Sequence, residues 1–447
     1  MQKVLIANRG EIARRVIRAC KGLGLRTVAI YSDADASLPF VREADEAVRI
    51  GPAPVAQSYL QAQAIVAAAK QAGADAVHPG YGLLSENADF ARLCEEAKLT
   101  FVGPSSAVIA RMGSKVEARR FARASGVPIV PGSEGAVSSS EEALSLARAF
   151  GYPVMLKASA GGGGIGMTVT HNEDELRQAY ESSSKRVASY FGDGTLYLER
   201  YIERPRHIEI QVLADGQGGV VSLGERECSI QRRHQKIVEE SPSTGVDAML
   251  RAEISECAVR LTRALNYSGA GTVEFMVADG RFYFLEMNTR LQVEHPVTEE
   301  VTGVDIVQWQ LRIAAGEKLS SDLSEIRAHG HAIECRICAE DPERMLPSPG
   351  LITGLTLPHG QGVRHEIGVA EGDSVTPYYD PMFAKLVVSG PTRAVAIERM
   401  QAALGQYKVE GIKTNIPLLL KVIAHPAFSA GETHTGFLAQ YITGTGV

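Results

Sequence analysis

The pattern of apolar and polar positions opens with a buried run, Val4-Leu5-Ile6-Ala7. Asn8-Arg9-Gly10 follows, and then a stretch to about Leu23 whose apolar positions recur at helical spacing. Thr27-Val28-Ala29-Ile30-Tyr31 reads as a second strand and Gln61 to Ala72 as a helix. Ala76-Val77-His78 reads as a third strand, ending in Pro79-Gly80-Tyr81-Gly82. Strands alternating with helices predict a parallel, doubly wound sheet. The first turn holds one glycine where a dinucleotide site needs GxGxxG for close approach of a pyrophosphate, which argues against NAD.

Further along, Gly113 to Gly126 predicts a connecting helix rich in Arg and Ala. Ser138, Ser139 and Ser140 before Glu141 and Glu142 mark a helix start. A small domain is expected over 130–202. It is built on the strand Val154-Met155-Leu156-Lys157, a glycine run, and Met167-Thr168-Val169-Thr170. From about Glu203 the pattern is that of a larger α+β domain. The expected division is therefore 1–112, a linker over 113–129, 130–202 and 203–447. No fixed-period repeat interrupts it.

Composition narrows the function. Across 447 residues, 45% are hydrophobic and 22% charged, the balance of a soluble globular protein. A formal net charge of -6 argues against nucleic acid as the main partner, despite a local basic cluster at Arg232, Arg233, His234 and Lys236. No apolar run is long enough to span a bilayer, and Met1-Gln2-Lys3 leads straight into a strand pattern with no signal peptide. Six scattered cysteines form no disulfide framework, so a reducing cytoplasmic compartment is expected. Cys335-Arg336-Ile337-Cys338 spells CxxC, but it lies in a strand-like run from His331. There, residues three apart point to opposite faces, and no second pair completes a zinc site.

Candidate chemistry comes from three features. In Ala160-Gly161-Gly162-Gly163-Gly164-Ile165-Gly166, consecutive glycines let backbone N–H groups fold over phosphate oxygens. No Gly-Lys-Ser/Thr follows, so this is a hairpin and not a Walker A loop; taken alone, it reads equally as a plain mobile loop. Lys157 and Lys115 could each bring positive charge to an ATP phosphate. Next, Thr272 to Val277 and Arg281 to Asn288 flank Ala278-Asp279-Gly280 as a hairpin. A two-residue Asp-Gly loop places Glu274 and Glu286 on opposite faces. A three-residue loop with Gly280 left-handed places them, and Asn288, on one face. In that register two carboxylates and an amide oxygen, all hard ligands, suit Mg²⁺ shared with phosphates. Finally, Arg290, Gln292 and Glu294 continue the even-numbered alternation until His295-Pro296 ends it. An Arg beside a Glu could bind a small anion and deprotonate it, or form a plain ion pair.

Taken together, these residues resemble the biotin carboxylase family of the ATP-grasp superfamily, over essentially the whole chain. The strings that carry the resemblance are Ile6-Ala7-Asn8-Arg9-Gly10-Glu11-Ile12-Ala13, His78-Pro79-Gly80-Tyr81-Gly82 and Arg206-His207-Ile208-Glu209-Ile210-Gln211. Two more are the most specific: Gln231-Arg232-Arg233-His234-Gln235-Lys236, and the run Glu286-Met287-Asn288-Thr289-Arg290-Leu291-Gln292-Val293-Glu294-His295-Pro296-Val297-Thr298-Glu299. The resemblance implies an ATP-grasp fold with an N-terminal doubly wound, Rossmann-like domain, a glycine-loop lid and a larger C-terminal domain. It implies nucleotide contacts from Lys115, Lys157 and the backbone of Gly162, Gly163, Gly164 and Gly166. Adenine would lie at Glu199, Arg200 and Ile202, and ribose near His207. Gln231, His234 and Lys236 would line the phosphate and bicarbonate region. Glu274, Glu286 and Asn288 would hold Mg²⁺ or Mn²⁺. Arg290, Gln292 and the Val293 backbone would seat bicarbonate, Glu294 would deprotonate it, and Arg336 would stabilise the biotin enolate beside Tyr81 and Gly82.

The partners implied are a biotin carboxyl carrier protein and a carboxyltransferase such as that of acetyl-CoA carboxylase in fatty acid biosynthesis, with a homodimer as the assembly. No Met-Lys-Met biotinylation string occurs, so biotin is expected on another polypeptide or domain. Two positions depart from the family: Ile165, where Arg or Lys is common, and Leu83, where Phe is frequent. The rival readings are another ATP-grasp ligase joining a carboxylate to an amine, and a catalytically dead scaffold.

Overall fold

A computed structural model describes residues 1–133, 135–158, 167–191 and 196–444. The first apolar runs form five parallel strands: β1 (Lys3–Ile6), β2 (Arg26–Ser32), β3 (Glu46–Gly51), β4 (Ala76–His78) and β5 (Thr100–Phe101). Their order is β3-β2-β1-β4-β5, a doubly wound sheet of the kind the alternation predicts. The helix after β1, Gly10–Gly22, buries Ile12, Ala13, Val16, Ile17, Ala19 and Cys20 along one stripe. On the way to β2 it carries Glu11 and Arg15, both buried charges.

The chain divides into two compact units. The larger comprises Met1–Val127, Arg206–Phe275 and Leu285–Val447; the smaller comprises Pro128–Pro205 and Met276–Phe284. The smaller unit holds an antiparallel sheet of β6 (Val154–Ala158), β7 (Thr168–Thr170) and β8 (Leu196–Arg200) in the order β7-β6-β8. Helices Ser140–Phe150 and Glu173–Phe191 accompany it, and Leu144, Ala147, Val154, Leu156, Leu176 and Leu198 form its apolar core. The first helix starts where the serines and glutamates predict, with Ser139 Oγ accepting from the Glu142 N–H at 3.1 Å. Gly162, Gly163, Gly164 and Gly166, together with Ile165, lie outside the described residues.

In the larger unit, residues 115–124 form a helix whose N-cap is Ser114, so Lys115 stands at its first turn. An eight-stranded sheet runs through β9 (Arg206–Asp215), β10 (Val220–Arg232), β11 (Gln235–Ser241), β12 (Ser268–Ala278), β13 (Arg281–Asn288) and β14 (His331–Cys338). The strands Met382–Gly390 and Val363–Ile367 complete it. Its order is β13-β12-β9-β10-β11-β14, then Met382–Gly390, then Val363–Ile367. Cys335 is buried on β14 and Cys338 lies at its end; both are free thiols.

Candidate active site

The site grows from cross-strand pairing. Antiparallel register sets Arg226 on β10 opposite Glu209 on β9, and Gln231 opposite Lys236 on β11. Opposed residues share a face, which puts Arg226 on Glu209, and past the irregular stretch of β10 Lys236 reaches the same carboxylate. The turn between β10 and β11 is two residues long, and both Arg233 (φ 50°) and His234 (φ 64°) sit in the left-handed region. Non-glycine residues adopt that conformation at a cost, and such strain gathers at functional loops. Arg232, at the foot of the turn, is pinned to Glu340 by a paired ion contact. His234 is exposed at the tip.

Lys236 is the hub. Its Nζ lies 2.6 Å from Glu209 Oε2, 2.8 Å from Glu274 Oε1 and 2.6 Å from Glu294 Oε1. A buried carboxylate without a partner is costly, so three of them around one ammonium is a specific construction. Burial disfavours the Lys236 charge, but Glu209, Glu274 and Glu294 together hold its pKa well above the ordinary lysine value. Glu294 completes a second contact: Arg336 Nη2 lies 2.9 Å from its Oε2. Burial and the neighbouring Glu209 push the Glu294 carboxyl up, yet Lys236, Arg336 and Arg226 hold it below the usual carboxylate range. The base assigned from the sequence is therefore ionised at neutral pH.

The turn between β12 and β13 differs from the three-residue form. Both Asp279 (φ 51°) and Gly280 (φ 68°) are left-handed, the signature of a two-residue Asp-Gly turn. Unbroken alternation from such a turn would separate Glu274 from Asn288. Asn288 Nδ2 nevertheless donates to Glu274 Oε1 at 2.8 Å, so these two side chains meet despite the two-residue turn. Glu274 also meets His207 Nε2 at 3.1 Å. Burial raises the Glu274 carboxyl, but Lys236 and His207 hold it well below its ordinary value. Burial lowers His207; Glu274 and Glu209 outweigh it and bring the imidazole up to about 9. His207 Nδ1 contacts Gln231 Nε2 at 3.2 Å. Glu286 behaves oppositely to Glu274: burial, then the Glu274 charge, push its carboxyl up, with Lys115 pulling it down.

The polar string after β13 is not a continued strand. β13 ends at Asn288, and Glu294 is the N-cap residue of the helix His295–Thr302. The side chains nevertheless return to the hub, apart from Arg290. Gln292 Nε2 donates to Glu274 Oε1 at 2.7 Å, and its Oε1 accepts from Arg226 Nη2 at 2.9 Å. Arg290 pairs with Glu86 at 2.8 Å, a partner outside the string, and donates to Asn288 Oδ1 at 3.0 Å. The Val293 carbonyl accepts from Lys385 Nζ at 2.7 Å. Lys385 is fully buried and stands 5.7 Å from the centre of the Tyr81 ring. Gly82, next along, is left-handed at φ 63°. In the smaller unit Lys157 pairs with Glu199 across adjacent strands; Arg200 ends β8, and Ile202 follows it.

Sequence reasoning missed four supporting residues: Arg226, Glu209 as a charge partner, Glu239 and Lys385. Arg226 is fully buried and donates to Glu209, to Gln211 (2.7 Å), Thr298 (3.0 Å), Thr272 (3.1 Å) and Gln292 (2.9 Å). Their signal was ionisable residues inside otherwise apolar strands.

Comparison with known families agrees with this geometry. Residues 1–109 match "Biotin carboxylase, N-terminal domain", 114–322 match "Carbamoyl-phosphate synthase L chain, ATP binding domain", and 334–440 match "Biotin carboxylase C-terminal domain". The fold and the charged hub define an ATP-grasp ligase. A biotin carboxylase from Halalkalibacterium halodurans is 60% identical over 99% of this chain and 98% of its own length. A pyruvate carboxylase subunit from Methanothermobacter thermautotrophicus is 50% identical, over 99% of this chain and 90% of its own. Among solved structures, the biotin carboxylase domain dimer of the Hydrogenobacter thermophilus 2-oxoglutarate carboxylase, with MgADP, ADP and bicarbonate, superposes with a TM-score of 0.89. It is 50% identical, covering 98% of this chain and 97% of that one. The chain belongs to the biotin carboxylase family.

Proposed function

We propose that the chain carboxylates biotin held on a carrier protein, using ATP and bicarbonate through a carboxyphosphate intermediate. The observation that carries this reading is Glu294, a buried carboxylate held between Lys236 at 2.6 Å and Arg336 at 2.9 Å. Bicarbonate is a poor nucleophile until it loses its proton. Glu294 takes that proton, while Lys236 and Arg290 offer charge to the resulting dianion. A carbonate oxygen then attacks the γ-phosphorus, and the bond to the β–γ bridging oxygen breaks to release ADP. Carboxyphosphate splits into CO₂ and phosphate, the phosphate takes the biotin N1′ proton, and N1′ attacks CO₂. Arg336 balances the charge on the ureido oxygen during that attack. Tyr81 and Gly82 border the biotin position, and His207 and Gln231 the nucleotide. In the smaller unit, Lys157, Glu199, Arg200, Ile202 and the glycine run serve the nucleotide.

The residues present fit a divalent cation. Glu274 and Glu286 offer hard carboxylate oxygens, and burial, then the Glu274 charge, pushes the Glu286 carboxyl upward; a divalent cation held by these residues would offset that charge. Asn288, bonded to Glu274, joins the same group. When bound, the ion neutralises charge on the ATP β- and γ-phosphates. Glu286→Gln keeps the shape and removes one charge, so the protein should fold while its Mg²⁺ requirement rises. A titration of turnover against Mg²⁺ that matches the parent would remove Glu286 from the metal site.

Arg336→Gln should leave nucleotide binding intact and depress biotin carboxylation by about 10²–10³, the usual cost of one lost oxyanion partner. ATP cleavage should then be poorly coupled to product. Parent-level carboxylation by this variant would end the assignment. The reading as a whole is tested by ADP release with bicarbonate plus free biotin against release with amino acids. Stimulation by amino acids alone would favour a carboxylate–amine ligase, and no release at all a dead scaffold.

The acceptor is chosen by a separate carboxyltransferase, not by this site. Of the relatives named above, one is a subunit of a pyruvate carboxylase and one a domain of a 2-oxoglutarate carboxylase, so this half-reaction is compatible with several acceptors. We assign the chain to an acyl-CoA carboxylase such as acetyl-CoA carboxylase, as a cytoplasmic homodimer working with a biotin carboxyl carrier protein and a carboxyltransferase. Among the described residues, no helix is long and apolar enough to cross a membrane.

A further inference from the structure

Arg336 has two carboxylate partners, and only one of them belongs to the chemistry above. Its Nη2 faces Glu294 Oε2 at 2.9 Å. Its Nε faces Glu239 Oε1 at 2.6 Å, and the Glu239 side chain is fully buried. Glu239 lies on β11, three residues beyond Lys236, and pairs in register with Glu334 on β14. Glu334 and Arg336 are two apart on one strand and so share a face with Glu239. Lys385, opposite Arg336 in the next strand, and Glu366, opposite Lys385 in the last, extend the same row. The sheet therefore presents a buried row of charges, and the string carrying Val293 and Glu294 makes contact with it through Lys385 and Arg336.

The two contacts on Arg336 differ in what happens to them during a turnover. Glu294 loses its negative charge when it accepts the bicarbonate proton, and its hold on Nη2 weakens at that moment. Glu239 touches no reacting atom in the mechanism and keeps its contact on Nε. An arginine held at Nε has its outer nitrogens left to meet a new anion in a fixed plane.

We propose that Glu239 is a positioning residue: it anchors Arg336 from behind so that the guanidinium keeps its aim on the biotin ureido oxygen after Glu294 is neutralised. Because Arg336 is assigned to biotin and Glu294 to bicarbonate, this inference rests on the functional reading above. Burial pushes the Glu334 carboxyl well above its ordinary value, with Lys385 and Arg336 opposing the rise and the Glu239 and Glu294 charges adding to it. Burial also raises the Glu239 carboxyl, and the Arg336 charge opposes that rise, so the contact at Nε favours the ionised form of Glu239.

The test uses the full chain and two substitutions, Glu239→Gln and Glu239→Leu, with Arg336→Gln as a reference. Bicarbonate-dependent ATP cleavage without biotin, and carboxylation of free biotin, are measured side by side with thermal melts. Glu239→Leu is expected to raise the KM for biotin or lower kcat for carboxylation by about 10–100-fold, the scale of lost support behind a functional group. Biotin-independent ATP cleavage is expected to stay within about twofold of the parent, since that step needs Glu294 and not the aim of Arg336. Glu239→Gln keeps an acceptor for Nε and is expected to recover most of the loss. Unchanged biotin kinetics in both variants overturn the proposal, and so does an equal fall in both reactions that follows the loss of melting temperature. If Glu239→Leu does not fold, Glu239→Gln decides alone: a biotin-specific loss of a few-fold supports the anchor, and parent behaviour overturns it. A parent enzyme that cleaves ATP with bicarbonate but never carboxylates biotin overturns the functional reading instead. Arg336→Gln with parent-level carboxylation overturns the role of Arg336 on which the anchor depends.

Discussion

Glu294→Gln is expected to lose both bicarbonate-dependent ATP cleavage and biotin carboxylation, by about 10²–10⁴ in rate, because no nucleophile forms without the base. The substitution is close to isosteric, and the surroundings tolerate it. Lys236 retains Glu209 at 2.6 Å and Glu274 at 2.8 Å, and Arg336 retains Glu239 at 2.6 Å, so neither cation is orphaned. Glu294 occupies the N-cap position of the helix His295–Thr302, yet its side chain makes no capping bond, so the helix start loses nothing. A structural role predicts the opposite pattern: losses that scale with stability and leave the bicarbonate dependence of ATP cleavage intact. Assays with and without bicarbonate, run beside circular dichroism melts, separate the two. A variant that melts like the parent and cleaves ATP at the parent rate would mean the proton goes elsewhere.

Much of this site was legible because its residues are packed into short strings. The run from Glu286 to Glu299 holds Asn288, Gln292 and Glu294 within a few residues of one another, and the structure brings all three to one hub. The doubly wound sheet was legible for a different reason: the strand and helix periods alternate cleanly over the first hundred residues. What failed were counts that assume regular backbone. The Asp279-Gly280 turn takes the two-residue form, yet Asn288 still reaches Glu274 and the Glu274 charge still acts on Glu286. Arg290 lies in the string but turns to Glu86, a residue more than two hundred positions away. The compact units were also only partly readable, since the hairpin tip Met276–Phe284 joins the smaller unit from deep within the later sequence. The least legible feature was the support beneath the site. Arg226, Glu239 and Lys385 each look like a single polar residue in a strand, and only the pairing of distant strands reveals their partners.

Of those hidden residues, Arg226 should carry the largest stability effect. Its guanidinium is fully buried and all three nitrogens are engaged, by Glu209, Gln211, Thr298, Thr272 and Gln292. Burial disfavours its charge, and Glu209 and Glu294 more than offset that. Arg226→Leu removes the cation but leaves Glu209, also fully buried, with Lys236 as its nearest remaining charge partner. Four polar side chains lose a donor at the same time. Breaking one side of a buried ion pair costs about 3–5 kcal/mol, so the urea midpoint of the larger unit should fall markedly. Arg226→Lys should recover only part, because a single ammonium cannot reach partners that lie around a planar fork. The same geometry predicts a kinetic consequence in any Arg226→Lys that folds. Gln292 would lose the bond that fixes its amide, and bicarbonate dependence should weaken before nucleotide binding does. Urea unfolding of both variants, followed by a bicarbonate titration of ATP cleavage in the lysine form, measures both effects. An Arg226→Leu protein within about 1 kcal/mol of the parent would show that Lys236 alone compensates the buried Glu209 and that the four released acceptors cost little, contrary to the usual cost of breaking a buried ion pair.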